Sequence, residues 1–322
     1  SNLTRMNRVK TTHVKHTFKA RLALLVGLLL LLGACSNKRQ TPVRALYYWS
    51  TTFVNDSLKT HFYHQHGVQR LYVRYFDVVK HPDKDPLPNA TITFNDSVPQ
   101  GMEIIPTVFI TNDCMRQPAT FAKQLWQRIC QMNETHGIRN VKEIQIDCDW
   151  SKQTQDIYFD FLRQLHKMVE QAGLKLSVTI RLHQLAMPVP PVDKGTLMLY
   201  NTGDFRKLDY QKPILDPDVV RRYISGLRAY SLPLNAAYPL FRVRALFRGG
   251  RFVGLIHTKD EYPVLPTDTI AVRETSLTDL QSVQHLIMKH RPDVHNEIIL
   301  YDVNNRNLTK YPFHTYEKIY NP

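Results

Sequence analysis

The chain has 322 residues, of which 43% are hydrophobic and 22% are charged, a composition typical of a folded globular protein and not of a disordered one. Its formal net charge of +14 would suit a nucleic-acid-binding protein, but the Lys and Arg residues are scattered and match no nucleic-acid-binding motif. We therefore expect no nucleic-acid partner, and we interpret the positive charge as a general attraction to an anionic surface or polymer.

The N-terminal segment has the features of an export signal. Residues 1–34 contain basic but no acidic residues, and residues 22–32 form an apolar run. This run is shorter than the stretch of about 20 residues that a membrane-spanning helix needs. The tetrad Leu32-Gly33-Ala34-Cys35 follows the run and resembles the lipobox of bacterial lipoproteins, in which the cysteine receives a lipid.

The lipobox resemblance implies how the chain is divided and where the protein is located. Residues 1–34 are then a signal peptide, Cys35 is the lipidated residue, and residues 35–43 are a tether to the membrane. An ordinary secretory signal that is cut elsewhere is the alternative. Ser36 is not the acidic residue that commonly retains lipoproteins at the inner membrane, so the resemblance favours an exported protein anchored to the outer membrane.

Predicted strands and helices alternate along the rest of the chain. Strands are predicted at residues 44–49, 68–77, 102–110, 141–151, 174–182, 196–200, 234–241 and 297–303. Helices are predicted at residues 58–66, 121–135, 155–172, 218–230 and 277–289. The proline-rich stretch 81–100 predicts a long loop with a small hairpin, and residues 245–254 predict a β-hairpin that turns at Gly249-Gly250.

This order of elements predicts an α/β protein with a single (β/α)8 TIM barrel over residues 44–322 and a β-hairpin insertion before the last helix. A doubly wound sheet is the alternative, but its strands are usually apolar on both faces. Here the strand at 174–182 alternates polar Ser177, Thr179 and Arg181 with apolar residues. Such alternation suits a strand that faces the interior of a barrel near its mouth.

The strand at residues 141–151 ends in two carboxylates. Successive side chains of a strand point to opposite faces, so Gln145, Asp147, Asp149 and Ser151 share one face. The two aspartates then lie about 7 Å apart along the strand. Two acids beside a low-dielectric wall repel each other unless a cation, a proton or hydrogen-bond donors offset the charge, which favours acid–base or ligand chemistry. The alternative is a structural ion-pair network with inward-pointing arginines.

The same strand carries a resemblance to glycoside hydrolase family 18, the chitinase-like barrels. The family motif on the fourth strand is D-x-x-D-x-D-x-E, often with Trp before the Glu. In this chain the motif positions are occupied by Ile144, Asp147, Asp149, Trp150 and Ser151. The two middle aspartates and the Trp match, whereas the first acid and the catalytic Glu are absent.

A second motif and the order of elements extend the resemblance. Met198-Leu199-Tyr200 is similar to the family's Met-x-Tyr on the sixth strand, whose Tyr helps to hold the N-acetyl group of the substrate. The whole chain also resembles bacterial lipoproteins that have a barrel of this kind and Tyr-Tyr-Trp on the first strand, here Tyr47-Tyr48-Trp49. The resemblance covers residues 44–303 in the order of elements.

The missing Glu puts catalysis in question. In the family this Glu is the general acid and the neighbouring Asp orients the acetamido group of the substrate. Ser151 cannot take the role of the acid, and losing general acid catalysis costs roughly 10²- to 10⁴-fold in rate. The barrel is then either a binder or an enzyme with its acid elsewhere, for which Asp302, at the end of the eighth strand, is the first choice.

The candidate site combines acids, arginines and aromatic residues near the strand ends. The candidate catalytic residues are Asp147, Asp149 and Asp302. Arg74 and Arg181 are expected to pair with the acids of the central strand. Aromatic residues lie at or near strand ends, where stacking on sugar rings would need them, and burial in the core or barrel rim is the alternative for each: Tyr47, Trp49, Trp150, Tyr200 and Tyr301. The candidate substrate-binding residues are Tyr48, Trp49, Arg74, Trp150, Arg181, Tyr200 and Tyr301.

Cofactor and metal motifs are missing from the sequence. It contains no Walker loop, G-x-G-x-x-G, G-x-S-x-G or H-E-x-x-H, so we predict no cofactor. His61 and His64 would be neighbours on a helix, but no third ligand has a fixed spacing from them, so we predict no metal site. The sequence leaves open whether Cys114 and Cys130 are bridged.

Together these observations favour an envelope-anchored lipoprotein whose barrel binds a glycan at the C-terminal ends of its strands. The sequence leaves open whether the protein is an enzyme; if it is one, the resemblance implies a glycoside hydrolase. The alternative is a non-catalytic envelope scaffold with an internal network of Asp and Arg residues. An open, aromatic-lined cleft would favour the first interpretation, and a mouth filled by the hairpin insertion would favour the second.

Overall fold

The structure, a computed structural model, describes residues 40–114, 118–257 and 261–322. One compact unit runs from Pro42 to Pro322. The predicted signal peptide, the lipidation residue Cys35 and residues 36–39 of the predicted tether lie outside the described residues. Within the three described ranges, no helix combines the length and the apolar character needed to cross a membrane.

The described part of the chain contains the following elements. The strands are β1 (Val43–Tyr48), β2 (Thr52–Phe53), β3 (Arg70–His81), β4 (Lys84–Asn89), β5 (Thr93–Phe94), β6 (Glu103–Ile110), β7 (Glu143–Asp147), β8 (Lys175–Ile180), β9 (Lys194–Met198), β10 (Leu234–Pro239), β11 (Arg242–Arg248), β12 (Arg251–Leu255), β13 (Thr269–Glu274) and β14 (Glu297–Tyr301). The α-helices are α1 (Ser57–Gln65), α2 (Pro118–Thr135), α3 (Gln155–Gln171), α4 (Pro217–Ala229), α5 (Leu277–His290), α6 (Asn305–Leu308) and α7 (Phe313–Tyr320).

Eight of these strands close into a parallel barrel. Their order around the barrel is β1, β14, β10, β9, β8, β7, β6 and β3, and β3 pairs again with β1. All eight pairings are parallel. The prediction of a TIM barrel is therefore confirmed, and the eight barrel strands are the eight predicted from the sequence.

Alternation along the strands separates a polar interior from an apolar exterior. On β7, Ile144 and Ile146 are buried in the main hydrophobic core, whereas Gln145 points into the barrel. There its amide nitrogen Nε2 donates hydrogen bonds to Ser177 Oγ at 3.2 Å and Thr196 Oγ1 at 3.0 Å. The Tyr47 hydroxyl donates to Gln145 Oε1. These hydrogen bonds satisfy polar groups that would otherwise be costly to bury.

Two of the barrel connections lack an α-helix. Between β3 and β6, the chain forms an antiparallel hairpin of β3 with β4 and then the short strand β5, which pairs with β2. Between β8 and β9 it forms only a 3-10 helix at Leu182–Ala186. Both segments are rich in proline, which lacks a backbone N–H and clashes with the preceding helical turn.

The predicted hairpin is part of a small antiparallel sheet inserted between β10 and α5. Its strand order is β12, β11, β13. Gly249 and Gly250 have φ angles of 56° and 74°, the left-handed conformation that a tight two-residue hairpin turn requires. The hairpin prediction is confirmed, and β13 adds a third strand that was not predicted. We call β11, β12 and β13 the insertion sheet.

The N-terminal end of the barrel is closed by charged side chains. Five residues that begin barrel strands pair with one another there: Arg70, Glu103, Glu143, Lys194 and Glu297. Arg70 pairs with Glu103 at 3.2 Å and with Glu297 at 2.9 Å. Lys194 pairs with Glu143 at 2.6 Å and with Glu297 at 3.3 Å. We call these five residues the basal network.

Neutral polar groups complete the basal network around its glutamates. Glu297 accepts hydrogen bonds at 2.8 Å from the Tyr72 hydroxyl and at 2.8 Å from Asn235 Nδ2. Burial alone would raise the pKa of Glu297, but Lys194, Arg70 and these hydrogen bonds hold it below its ordinary value. At Glu143 burial outweighs the attraction of Lys194, and the pKa is raised. The network therefore fixes Glu297 as a carboxylate inside the protein.

Candidate functional site

The C-terminal end of the barrel contains a cavity of about 590 Å³, which we call the mouth cavity. Seven of the candidate residues line this cavity, because the C-terminal ends of parallel strands lie at one rim of the barrel. Its lining includes Tyr47, Trp49, Arg74, Asp77, Asp147, Thr179, Arg181, Tyr200, Phe241, Arg242, Arg244, His257, Tyr301 and Asp302. The insertion sheet contributes part of this wall and leaves the cavity open.

Asp147 is the last residue of β7 and lies at the cavity wall with 8% of its side chain exposed. Its Oδ1 atom accepts a hydrogen bond from Thr179 Oγ1 at 2.7 Å and pairs with Arg181 Nη1 at 2.9 Å. Arg181 Nη1 also donates to Thr179 Oγ1 at 2.7 Å. The three side chains hold a buried carboxylate in one orientation, because an ion pair and a charge-assisted hydrogen bond act on the same oxygen.

Arg74 pairs with a different acid from the one expected. Its Nε donates to Asp77 Oδ1 at 2.7 Å and its Nη2 donates to Asp77 Oδ2, which makes a two-point ion pair. The guanidinium carbon also lies 5.4 Å from the centre of the Trp49 ring. The expectation that Arg74 pairs with the central aspartates is therefore wrong, because Asp77 lies three residues along the same strand and is closer. The effect of the pair is to orient Trp49 at the cavity wall.

Aromatic rings form a continuous wall on one side of the mouth cavity. Tyr301 is at its centre: its ring lies 5.1 Å from Tyr200, 5.6 Å from Phe241, 5.7 Å from Tyr47 and 5.8 Å from Trp49 between ring centres. We call these five residues the aromatic wall. Such spacings are those of favourable edge-to-face and offset ring pairs, so the wall is rigid before any ligand arrives.

Two hydroxyl groups of the aromatic wall remain available to a ligand. The hydroxyls of Tyr200 and Tyr301 have no hydrogen-bond partner among the described residues. Burial raises the pKa of Tyr200 well above its ordinary value, and Asp147 raises it further. The pKa of Tyr301 is raised in the same way by burial and by Asp302. Both hydroxyls therefore keep their protons and can donate hydrogen bonds into the cavity.

Asp302 differs from Asp147 in its surroundings. It follows β14 and lines the mouth cavity, where its Oδ1 atom accepts hydrogen bonds from Asn307 Nδ2 at 2.9 Å and from Asn304 Nδ2 at 3.4 Å. No cation pairs with it among the described residues. Burial raises the pKa of Asp302 to about 6, although the hydrogen bond from Asn307 lowers it in part. A carboxyl with this pKa can both give and take a proton near neutral pH.

The structure places three of the candidate residues outside the cavity lining, namely Asp149, Trp150 and Tyr48. Asp149 follows the end of β7 and its side chain is 60% exposed, with Arg181 Nε at 3.8 Å and His183 Nε2 at 3.7 Å. Trp150 is 1% exposed and packs against Tyr158 and Phe159 of α3. Because Trp150 anchors the chain in the core, β7 stops at Asp147 and the expected alternation does not continue to Asp149.

Tyr48 and Ser151 also lie away from the cavity. Tyr48 is 2% exposed, its ring packs 4.6 Å from Phe53, and its hydroxyl accepts from the Val54 backbone N–H at 2.8 Å. It points outward from the barrel because its neighbour Tyr47 points inward. Ser151, at the position of the family's catalytic Glu, is bonded to Thr154 at the start of α3. We therefore remove Tyr48, Trp150 and Asp149 from the candidate set.

Sequence reasoning missed several cavity residues. Phe241 belongs to the aromatic wall, and Arg242 and Arg244 enter from the insertion sheet. Tyr47, one of the aromatic residues placed near strand ends by the sequence, shares a face of β1 with Trp49 and also lines the cavity. The run Phe241-Arg242-Val243-Arg244 follows β10 directly, so its place at a strand end was also a usable signal.

The described residues contain no group of three or more His, Cys, Asp or Glu side chains arranged to hold a metal ion. Cys114 and Cys148 are buried and Cys130 is exposed, and all three are free thiols. Cys114 and Cys130 are therefore not bridged in this structure. The chemistry of the mouth cavity is that of carboxyl, guanidinium, hydroxyl and aromatic groups.

Comparison by sequence finds no matching protein-family model and no matching curated protein. Comparison by structure finds barrels of the same fold. A chitinase from Chromobacterium violaceum is 11% identical with a TM-score of 0.57, over 87% of this chain and 99% of that chain. The spore cortex-lytic enzyme SleL from Bacillus cereus is 17% identical with a TM-score of 0.53, over 84% and 74% of the chains.

A third structure of the same fold is the Group IV chitinase of Ostrinia furnacalis, at 10% identity with a TM-score of 0.55, over 87% of this chain and all of that chain, 100%. The chain therefore has a TIM barrel similar to the barrels of these chitinases and of the spore cortex-lytic enzyme, at low sequence identity. At such identities the likeness establishes the fold and leaves the function to the site itself.

Proposed function

We propose that the protein binds a glycan in the mouth cavity. The observation that carries this proposal is the aromatic wall with two unpaired tyrosine hydroxyls beside the oriented carboxylate of Asp147. Aromatic rings pack against the apolar faces of sugar rings, while hydroxyl and carboxylate groups pair with sugar hydroxyls. The volume of about 590 Å³ is within the usual range for a pocket that takes a small ligand or part of a chain.

The fold comparison supports a sugar polymer as the ligand. Two of the similar structures are chitinases and one is a spore cortex-lytic enzyme. In barrels of this kind the site lies at the C-terminal ends of the strands, where the mouth cavity is. Tyr200 belongs to Met198-Leu199-Tyr200, which resembles the Met-x-Tyr motif of glycoside hydrolase family 18. Its hydroxyl, which has no partner among the described residues, can donate a hydrogen bond to an acetamido group of the sugar.

The experiment is a binding titration with chitin oligosaccharides, peptidoglycan fragments and N-glycan fragments. We expect saturable binding of at least one class, and a loss of about tenfold or more for Trp49→Ala, since stacking and burial of one aromatic ring contribute about 1–3 kcal/mol. Phe313→Ala is the matched control, because Phe313 is an aromatic residue with 48% exposure outside the cavity. Binding that is equally weakened in both variants would contradict a site at the aromatic wall.

Hydrolysis of the bound glycan is the second candidate function, and the raised pKa of Asp302 favours it. In this step the protonated Asp302 carboxyl donates its proton to the glycosidic oxygen as the bond from that oxygen to the anomeric carbon breaks. The electron pair of the bond leaves with the oxygen, and the substrate's own acetamido oxygen bonds to the anomeric carbon. Water then replaces the acetamido oxygen at that carbon and gives its proton to the Asp302 carboxylate, which restores the protonated acid. Asp147, paired with Arg181, stabilises the positive charge that develops on the sugar.

Product release separates a hydrolase from a binder. For a hydrolase we expect turnover of a bound glycan that falls roughly 10²- to 10⁴-fold in Asp302→Asn while binding is kept. Asn304→Asp combined with Asp302→Asn tests whether a carboxyl two residues away can replace that of Asp302. Binding without product in the native protein assigns the cavity to a glycan-binding protein. A chain that binds no glycan from any class supports the alternative of an envelope scaffold, in which Asp147 and Arg181 serve only structure.

The location of this activity is a separate part of the proposal. The protein is anchored to the outer membrane of a bacterial envelope by a lipid on Cys35, which the lipobox-like tetrad supports. Metabolic labelling with a clickable fatty acid tests this: the label is expected on the native chain and absent from Cys35→Ser. Cys130→Ser is the control, because Cys130 is an exposed free thiol. Label that persists in Cys35→Ser contradicts the anchor.

A further inference from the structure

The mouth cavity contains two arginines that form no ion pair with any acid among the described residues. Four arginines and three aspartates line it: Arg74, Arg181, Arg242, Arg244, Asp77, Asp147 and Asp302. Arg74 is paired with Asp77, and Arg181 is paired with Asp147. The guanidinium groups of Arg242 and Arg244 have no hydrogen-bond or ion-pair partner among the described residues.

Arg242 and Arg244 lie on the same face of β11, because they are two residues apart on one strand. Their neighbours on β13 are Glu274 and Val272. Glu274 is already taken by Lys310 at 2.8 Å, with Arg306 at 3.4 Å. Glu274 is therefore engaged by two other cations and is attracted by Arg242 only without an ion-pair contact, so the two arginines share one carboxylate that Lys310 and Arg306 already neutralise.

Two other arginines of the insertion sheet, Arg248 and Arg273, have hydrogen-bond partners within the protein. Arg248 makes a two-point ion pair with Asp268 at 2.9 Å for both contacts. Arg273 donates to the Leu208 carbonyl at 2.7 Å and to Gln211 Oε1 at 3.2 Å. Arg242 and Arg244, which line the cavity, therefore differ from Arg248 and Arg273, whose contacts stabilise the sheet and its neighbours.

The aromatic wall continues directly into this pair. Phe241 packs its ring 5.9 Å from Tyr200 and 5.6 Å from Tyr301, and Arg242 is the next residue. A sugar that packs against the aromatic wall therefore lies next to the two guanidinium groups. A guanidinium presents a planar fork of N–H donors that matches the two oxygens of a carboxylate, so this edge of the cavity suits an acidic substituent.

We infer that the mouth cavity selects an acidic glycan, whose sugar carboxylate is bound by Arg242 and Arg244. This inference rests on the proposed glycan-binding function and adds the class of glycan. The carboxylate belongs to a uronic acid, to the lactyl group of a muramic acid or to a sialic acid, since all three present the same group. Arg242 and Arg244 are specificity residues, and they take no part in bond breaking.

The experiment compares pairs of oligosaccharides that differ only in the carboxylate. The pairs are an oligouronate and its carboxyl-reduced form, a muramic-acid-containing peptidoglycan fragment and its lactyl amide, and a sialylated N-glycan and its desialylated form. We expect the native protein to bind one acidic member about tenfold or more tightly than its neutral partner, because charge-assisted hydrogen bonds are the stronger kind. The preference is expected to weaken at high salt, which screens partly exposed charges.

The variant Arg242→Gln with Arg244→Gln is expected to lose this preference, so that the ratio of its affinities for the acidic and neutral members falls to about one. Arg244→Lys is expected to keep part of it, because the charge remains and the planar fork is lost. Arg251→Gln is the matched control: Arg251 is an exposed arginine of the same sheet that does not line the cavity, and its removal is expected to leave both affinities as they are.

Three results would overturn the inference. Native protein that binds the neutral and acidic members equally refutes the selection of an acidic glycan and leaves the proposed glycan-binding function intact. A double variant that weakens both members equally assigns the arginines to the structure of the wall. If no member of any pair binds, the inference fails together with the glycan-binding function.

Discussion

At the N-terminal end of the barrel, charged residues pair with one another until the interior is closed, while at the C-terminal end the same kinds of residue surround an open cavity. In the basal network, Glu297 alone makes contacts with Arg70, Lys194, Tyr72 and Asn235. In the mouth cavity, Arg181 pairs with Asp147, but two tyrosine hydroxyls and two guanidinium groups make no hydrogen bond with the described residues.

The two ends of the barrel differ in how completely their polar groups are paired within the protein. Polar groups in a protein interior are normally satisfied, because an unpaired buried group costs free energy. The charged residues of the basal network follow this rule, although Oδ1 of the neighbouring Asn235 has no partner among the described residues. In the mouth cavity, two tyrosine hydroxyls, the exposed guanidinium group of Arg242 and the half-buried one of Arg244 make no hydrogen bond with the described residues, and the pKa of Asp302 is raised. Such a contrast within one barrel supports the proposal that the open end pairs with a ligand.

The largest effect is expected from breaking the closed end. Glu297→Ala removes a carboxylate whose side chain is 6% exposed and leaves Arg70 and Lys194 with less compensation. Removing one partner of a buried ion pair typically costs 3–5 kcal/mol, so we expect a loss of about that size in the free energy of unfolding by urea. Asp218→Asn, in a pair whose acid is 82% exposed, is the control and should leave the free energy of unfolding unchanged. A loss under about 1 kcal/mol at Glu297 would mean that the basal network is dispensable.

A smaller loss is expected from the matching change at the open end. Asp147→Asn keeps the shape of the side chain but removes the charge that pairs with Arg181, whose side chain is 20% exposed. Solvent and Asp149, 3.8 Å from Arg181 Nε, offset part of the loss. We expect about 1–3 kcal/mol in urea unfolding, together with weaker glycan binding in a titration. Stability reduced as much as in Glu297→Ala would erase the distinction between the two ends.

The pH dependence of stability should separate Asp302 from the acids of the basal network. The folded state holds the Asp302 proton up to a pKa of about 6, above the ordinary value of 3.8. The unfolded chain then binds fewer protons between these values, so the contribution of Asp302 to stability is complete below pH 3.8 and is lost as the pH rises through 6.

We therefore expect native protein to lose about 1–2 kcal/mol relative to Asp302→Asn between pH 4 and pH 8, less than the full shift would give because the site is open to solvent. Urea unfolding of both proteins at several pH values measures this difference. Curves that run parallel across the range would show that the pKa of Asp302 is close to that of an ordinary aspartate.

The sequence was sufficient for the fold because alternation and helix-ending signals are local. All eight barrel strands were predictable, and the Gly249-Gly250 turn was readable from two residues. The basal network was not predictable, because its members begin separate strands and Arg70 and Glu297 are 227 residues apart. Such contacts follow from the closure of the barrel and leave no local pattern in the chain.

The candidate site was predictable in part for the same reason. Trp49, Arg74, Asp147, Arg181, Tyr200, Tyr301 and Asp302 do line one cavity, which strand order and strand ends could indicate. Asp149 and Trp150 were misplaced because period-two alternation was extended beyond the end of β7, where the preference of Trp150 for the core decides the path of the chain. The partner of Arg74 was misjudged because Asp77 follows it on the same strand.

The smallest stability effect is expected at the two arginines that recognise the acidic sugar. Arg242 and Arg244 make no hydrogen bond or ion pair with the described residues, so replacing both by Gln should change the free energy of unfolding by no more than about 0.5 kcal/mol. Arg248→Gln, which removes a two-point ion pair with Asp268 in the same sheet, is expected to reduce stability more. Urea unfolding of the three proteins gives the comparison. A double variant less stable than Arg248→Gln would mean that the cavity arginines hold the insertion sheet in place, and the contrast between the paired basal end and the unpaired open end would then no longer point to a ligand.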